Sequence, residues 1–340
     1  MIKNIFGAKS NDSRGMTLVE LMVSIAVTAV VMGLSLSFFL GQYQSYRQRK
    51  GAVEITQAAP AALEILKTDL MQAGWGVHPQ MAFYIEDGGG SKPDRIFIND
   101  ISLVDVNRVD LLVGDDCPGC AQILGINGKD VTVSTLDISG EGVGDEEGEK
   151  GDFRQGVSMY VITDAVSGNK IAKVDGVNAP QKTLTLSEVV QGDFVAPVIR
   201  YASAAVEGVW ALRRNDRYTS GLQPLMENVV DLQVAYSTDS GETWFCDGGD
   251  ENNEGSNGCP VEAVTVRGTS KGDLSPEEIN MLRVTLVTRS SSRDFSRIND
   301  PNYCRPAVEN RSRAALGSNE CGYHYRTHTR VIRPRNFGRQ

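Results

Sequence analysis

The sequence predicts an α+β fold in which one long N-terminal helix packs on a β-rich, loop-rich C-terminal head. Three observations lead to this prediction. An apolar stretch near the N-terminus is long enough to cross a membrane, the next stretch keeps apolar residues at helical spacing, and the remainder holds short β-type runs between turns. We predict a leader at 1–15, a membrane half of the helix at 16–40, an amphipathic half at 41–75 and the head at 76–340.

The predicted membrane half reads MTLVELMVSIAVTAVVMGLSLSFFL, with Glu20 as its only charged residue. At about 1.5 Å per residue, a helix of this length crosses a hydrocarbon layer roughly 30 Å thick. A carboxylate inside such a helix is costly and usually has a partner. Cleavage after Gly15 would supply one, because Met16 would then carry a free amine on the same helix face as Glu20. A glutamate that is merely hydrated at the membrane surface is the alternative.

The predicted amphipathic half carries one apolar stripe at helical spacing. Its members are Ile55, Ala59, Ala62, Leu66 and Leu70, with Leu63 and Ile65 beside them. Pro60 lies inside the stripe and is expected to kink the helix, and Gly74-Trp75-Gly76 is expected to end it. The alternative is a membrane anchor joined by a flexible linker to an unrelated domain, but a linker has no need of a sustained apolar stripe.

The head has the pattern of strands separated by turn-rich segments. We predict strands at 94–99, 108–113, 131–136, 157–163, 183–190, 229–236, 282–288 and 327–333. Because no long helix alternates with them, the pattern argues against a doubly wound α/β fold.

The six cysteines fall into three pairs that are close in sequence, and we predict a disulfide within each. The pairs are Cys117/Cys120, Cys246/Cys259 and Cys304/Cys321. Other connectivities remain open, as does a redox role for the Cys-Pro-Gly-Cys pair. A zinc site formed by the last pair with His324 and His328 is disfavoured, because the two histidines would lie about 13 Å apart on a strand that rises roughly 3.3 Å per residue.

The loop CDGGDENNEGSNGC, residues 246–259, is a candidate calcium site. It offers oxygen ligands for Ca²⁺, but Val261 stands where an EF-hand has its bidentate glutamate, so a solvated acidic loop is the alternative. The candidate ligands are Asp247, Asp250, Asn252 and Glu254. Three histidines and no nucleophile, phosphate-binding or paired-carboxylate motif indicate neither an enzyme nor a cofactor.

The charge distribution is uneven. The formal net charge is −9, which argues against a general nucleic-acid binder, yet residues 283–340 hold 12 arginines and 4 acidic residues. We interpret this basic stretch as solvated strand faces. The alternative is a surface that binds phosphate backbones through Arg326, Arg330, Arg333 and Arg335.

The segment RGMTLVE, residues 14–20, resembles the prepilin cleavage and methylation motif of type IV pilins and type II secretion pseudopilins. The resemblance implies that a prepilin peptidase cuts between Gly15 and Met16 and N-methylates Met16. It also implies that Glu20 pairs with the N-terminal amine of a neighbouring subunit. The family usually has phenylalanine where this chain has Met16, and methionine is tolerated there.

Three further stretches resemble PilW-type minor pilins, which are related to the J-type pseudopilin of type II secretion. These are residues 67–76 (KTDLMQAGWG), 225–241 (LMENVVDLQVAYSTDSG) and 275–290 (SPEEINMLRVTLVTRS). The resemblance implies a pilin-like fold and a structural role in priming and assembling type IV pili within a complex at the tip. It also implies a part in twitching motility and cell adhesion.

The resemblance also implies partners and a location. The partners are other minor and major pilins, the prepilin peptidase, the inner membrane and a PilY-type tip adhesin. The location is the bacterial inner membrane, as a single-pass protein with its head in the periplasm, and then the pilus at the cell surface. The alternatives are a J-like pseudopilin, or a tip adhesin or DNA-binding pilin that uses the arginine-rich C-terminal strands.

Overall fold

The structure, a computed structural model, has the predicted α+β fold: one long N-terminal helix is followed by a β-rich head. The chain forms two compact units, Met1–Lys50 and Gly51–Gln340. The residues that the structure describes are 17–75, 77–86, 88, 92–99, 117, 120–134, 153, 159–165, 170–215, 222–246, 276–309 and 311–336. The strand predicted at 108–113 lies outside them.

Helix α1, Leu18–Gln72, is continuous through Pro60. Its segment Leu18–Tyr43 is long and apolar enough to cross a membrane, and its side chains are exposed. The helix ends at Gln72, slightly before the predicted Gly74-Trp75-Gly76, and Gly74 turns the chain with a φ of 80°. Asn336 Nδ2 donates to the carbonyl oxygens of Gln72 and Ala73, at 3.0 and 3.2 Å, and so satisfies two carbonyls at the helix end.

The first sheet is antiparallel and has the order β1-β2-β8-β9-β10. Its strands are β1 (Phe83–Glu86), β2 (Arg95–Ile98), β8 (Phe194–Val206), β9 (Val209–Asn215) and β10 (Gln223–Glu227).

A closed ring of antiparallel strands adjoins the first sheet through β8. Its pairings run β8-β3-β4-β7-β6-β5 and return to β8, because the first half of β8 pairs with both β3 and β5. A separate apolar core fills this strand ring. The remaining strands are β3 (Ala121–Asn127), β4 (Asp130–Val133), β5 (Tyr160–Thr163), β6 (Ile171–Asn178) and β7 (Thr183–Leu186).

The second sheet has the order β12-β11-β13-β14 and is also antiparallel. All nine residues of β11 (Val229–Ser237) are buried, whereas β14 (Tyr325–Ile332) lies at the sheet edge and is mostly exposed. The other strands of this sheet are β12 (Phe245–Cys246) and β13 (Met281–Arg289).

The apolar stripe of α1 lies in the core between the two sheets. The buried members are Ala59, Ala62, Leu63, Leu66 and Leu70, and Ala73 is buried just after the helix ends, whereas Ile65 is 42% exposed. They pack with Ile96 and Tyr201 of the first sheet and with Leu232 and Val284 of the second. The second half of α1 is therefore part of the core of the head, as the stripe predicts.

Candidate functional site

The residues at the start of α1 form a capping box, in which an N-cap residue and the residue three positions later cap each other. The main-chain N–H and the hydroxyl of Thr17 both donate to Glu20 Oε2, at 2.9 and 3.0 Å. The N–H of Glu20 donates back to Thr17 Oγ1 at 3.2 Å. This reciprocal pair satisfies helix donors that would otherwise lack partners. The Thr-x-x-Glu spacing is a sequence signal for the box that our sequence analysis missed.

The capping box holds the carboxylate of Glu20 at the helix N-terminus, where the helix dipole favours a negative charge. Within the part of the chain that the structure describes, the hydrogen bonds to this carboxylate use Oε2, so that Oε1 can accept from a second donor. Gly15 and Met16 lie outside the described residues, so their predicted roles stay predictions.

The structure contains two of the three predicted cysteine pairs as disulfides, Cys117–Cys120 and Cys304–Cys321. Cys117 is buried in an apolar cluster with Met81 and Phe97, a setting typical of a structural disulfide rather than a redox pair. Cys246 is also disulfide-bonded, and its predicted partner Cys259 lies outside the described residues.

Neither metal hypothesis gains support from the described residues. The candidate calcium ligands Asp247, Asp250, Asn252 and Glu254 all lie outside them. Within the described ranges, no group of three or more His, Cys, Asp or Glu side chains is placed to hold a metal ion. The Cys304–Cys321 disulfide leaves neither sulfur as the thiolate that zinc requires.

The basic C-terminal stretch is not simply a set of solvated strand faces, which corrects our interpretation. Arg305 and Arg311 are each only 4% exposed and both face the fully buried Asp231 of β11. Arg311 Nη1 lies 2.7 Å from Asp231 Oδ1, and Arg305 Nη1 lies 3.6 Å from Oδ2. Both guanidinium groups also donate to Glu320 Oε1, at 3.1 and 3.3 Å. These arginines pair charges inside the protein and are unavailable to a ligand.

Arg283 is likewise used internally, while later arginines reach the surface. The Arg283 guanidinium donates to both carboxylate oxygens of Glu309, at 2.9 and 2.6 Å. The exposed arginines of the stretch include the four singled out from the sequence, Arg326, Arg330, Arg333 and Arg335. The interpretation as a solvated strand face is therefore confirmed for β14 and the residues that follow it.

A second charged cluster, not anticipated from the sequence, fixes α1 to the first sheet. Asp69 Oδ2 accepts from the Tyr201 hydroxyl at 2.6 Å and from Arg214 Nε at 3.1 Å. Arg214 Nε also donates to the Tyr201 oxygen, at 3.0 Å. Burial and the neighbouring Asp69 carboxylate raise the pKa of Tyr201 well above its ordinary value, so its hydroxyl stays protonated as a donor.

Comparisons with known proteins bear on the N-terminal region. A family model for the prokaryotic N-terminal methylation motif matches residues 10–36, which include Gly15, Met16 and Glu20. The chain carries this methylation motif. Together with the apolar N-terminal helix, the motif supports a type IV pilin role for the chain, in pilus assembly.

The comparisons over the rest of the chain are remote. A type IV-like pilin from Thermus thermophilus is similar at 11% sequence identity and a TM-score of 0.31, covering 82% of this chain and 96% of that chain. No curated protein sequence matches the chain.

Proposed function

We propose that the protein is a structural minor pilin that primes and takes part in type IV pilus assembly. The methylation motif at 10–36 carries this proposal, because it opens a helix that continues without interruption to Gln72. The first half of that helix has the length and composition of a membrane span. The second half supplies core residues to the head. A single continuous helix thus links the start of the membrane-length segment to the head, as extraction from a membrane requires.

The chemistry of the start of α1 gives this role a mechanism. Prepilin peptidase cuts between Gly15 and Met16 and methylates the new amine of Met16. The carboxylate of Glu20 is held at the helix N-terminus by Thr17 through Oε2, and among the described residues no hydrogen bond uses Oε1, which can accept from another donor. In the low dielectric of a bilayer, a carboxylate and an ammonium of adjacent subunits are each costly alone, and their pairing relieves both costs. This pairing therefore directs an incoming subunit toward the helix of a subunit that is already in the filament.

The assignment to a minor-pilin complex at the tip rests on the resemblance to PilW-type minor pilins. The head combines two sheets and a closed strand ring, and a subunit with such a head suits the end of a filament better than its repeating shaft. We therefore place it in a complex with other minor and major pilins at the tip, with a PilY-type adhesin as a further partner. Before assembly it crosses the inner membrane once, with its head in the periplasm. A J-like pseudopilin would share the same N-terminal chemistry, and recovery from sheared pili separates the two.

Replacing Glu20 with alanine is expected to block assembly and to leave processing intact. The variant keeps the cleavage site but loses the carboxylate that pairs with a neighbouring amine. We expect its recovery in sheared pili to fall at least about tenfold, the change that roughly 1.4 kcal/mol produces. The measurement is a quantitative immunoblot of sheared pili and of membranes from a piliated host.

Thr17→Ala is the matched control for this experiment. It removes the capping hydroxyl at a cost of about 1 kcal/mol to the helix end but keeps the carboxylate. This variant should still enter pili. Equal recovery of the Glu20→Ala variant and the unmodified protein would remove the proposed pairing.

A further inference from the structure

Strand β14 leaves one main-chain edge of the second sheet open. The Ser290 N–H donates to the His324 carbonyl at 2.9 Å, which fixes the alternation along the β13–β14 ladder. Main-chain groups at the even-numbered positions of β14 therefore face β13, and those at Thr327, Thr329 and Val331 face outward. Within the part of the chain that the structure describes, no strand pairs with this outward edge. An open edge of this kind is a ready template for another strand.

The surroundings of this edge are positively charged. Arg330, Arg333 and Arg335 are exposed on or just after β14. Glu64 on α1 is a nearby carboxylate, and it is already paired with Lys67 at 2.7 Å. The Lys67 hydrogen bond, with a smaller contribution from Arg330, holds the pKa of Glu64 below its ordinary value, which agrees with Arg330 lying close to this part of the helix. The described surface therefore carries more positive than negative charge here.

An open groove of about 540 Å³ lies between α1 and the residues that follow β14. Met71 and Trp75 supply its apolar surface, and Trp75 is 49% exposed. Glu64, Lys67 and Arg335 form its charged rim, where Glu64 and Lys67 already pair with each other. An exposed tryptophan beside cationic side chains is typical of the residues that contribute most to protein–protein binding.

We propose that the outward edge of β14 and this groove form one docking site for an extended acidic strand from the head of another pilin. The proposal rests on the proposed function for the source of the strand. Main-chain bonds to Thr327, Thr329 and Val331 would supply affinity, as in other cases of strand addition. Carboxylates of the incoming strand would face Arg330 and Arg335, and an apolar side chain would cover Met71 and Trp75.

The test uses the full-length mature protein in detergent micelles and a fluorescent octapeptide that alternates glutamate with valine and threonine. Fluorescence anisotropy measures binding. Two control peptides separate the contribution of charge from that of main-chain hydrogen bonds. One has lysine at each glutamate position, and the other has proline at two of the remaining positions. We expect the acidic peptide to bind and each control to bind at least about tenfold more weakly, because the first loses charge complementarity and the second loses main-chain donors.

Variants of the protein locate the site. Thr329→Pro removes an outward N–H and leaves the inward ladder to β13 unchanged, so it should weaken binding at least about tenfold. Thr329→Val is the matched control and should bind normally. Because the proline variant could fold poorly, its thermal unfolding is compared with that of the unmodified protein. The double variant Arg330→Glu, Arg335→Glu provides a second test that keeps every main-chain donor, and it should also lose binding.

Three results would overturn the proposal. These are no binding of the acidic peptide, binding that neither the proline nor the charge-reversal variant weakens, and stronger binding of a single-stranded DNA octamer than of the peptide. The Glu20→Ala variant should bind the peptide normally, so a failure of this docking site is distinguishable from a failure of the proposed pilin function.

Discussion

Replacing Asp231 with alanine is expected to lower the free energy of unfolding by about 3–5 kcal/mol, the range typical when one partner of a buried ion pair is removed. Asp231 is completely buried, and Arg311 and Arg305 approach its two oxygens at 2.7 and 3.6 Å. Without this carboxylate, two almost fully buried guanidinium groups would lose their fully buried counter-charge and keep the partly exposed Glu320 that they share. The uncompensated positive charge, more than any lost packing, is the reason for the large effect.

Urea unfolding of the mature protein in detergent, followed by tryptophan fluorescence, measures this change. Asp175→Ala is the matched control, because Asp175 is an exposed carboxylate 3.4 Å from Lys173 and should contribute no more than about 1 kcal/mol. Replacing Asp231, Arg305 and Arg311 together with leucine should recover most of the lost stability, since apolar side chains often replace a buried ion cluster without loss. A change for Asp231→Ala as small as that of the control would contradict this account.

The second large effect is expected for Leu66→Ala, which should cost about 2–5 kcal/mol by leaving a cavity in the core. Leu66 is fully buried, and its core cluster includes residues of both sheets. Its neighbour Ile65 is 42% exposed, so Ile65→Ala removes a similar volume from the same helix turn and should change stability by no more than about 0.5 kcal/mol. The difference in stability between the two variants measures how much the buried face of α1 contributes to the stability of the head.

The same unfolding experiment serves this pair, with limited proteolysis of the head as a second readout. The leucine variant should be cut faster than the isoleucine variant. Equal stability of the two variants would mean that α1 is a tether, and the transmission of assembly forces from helix to head would then lack a structural basis.

Sequence periodicity predicted α1 well and the strands unevenly. The apolar stripe predicts the helix correctly because one face of α1 packs against both sheets. The predictions at 229–236 and 282–288 lie within one residue of β11 and β13, whose β-branched runs have a clear signal. The 13-residue β8 was missed, because Pro197 and several alanines interrupt its pattern. The strand ring could not be predicted, since its closure depends on pairings between residues far apart in sequence.

The roles of the charged residues were also only partly predictable from the sequence. Glu20 was identifiable because a lone carboxylate in a membrane-length helix has few explanations. Arg305 and Arg311 were assigned to the surface with the rest of the basic stretch, because their partner Asp231 lies 74 and 80 residues away in the sequence. The local clue was Asp231 itself, a carboxylate within the β-type run VVDLQVAY, which predicts a buried and paired charge.

The mass and sequence of the mature N-terminus test the central claim most directly. The protein is purified from a host that has a prepilin peptidase and from the same host without that enzyme, and both samples are analysed by mass spectrometry. We expect a chain that begins at N-methylated Met16 in the first host and an uncut chain that begins at Met1 in the second. An intact Met1 start in the peptidase-containing host, or a cut at any bond other than Gly15–Met16, would contradict the central claim.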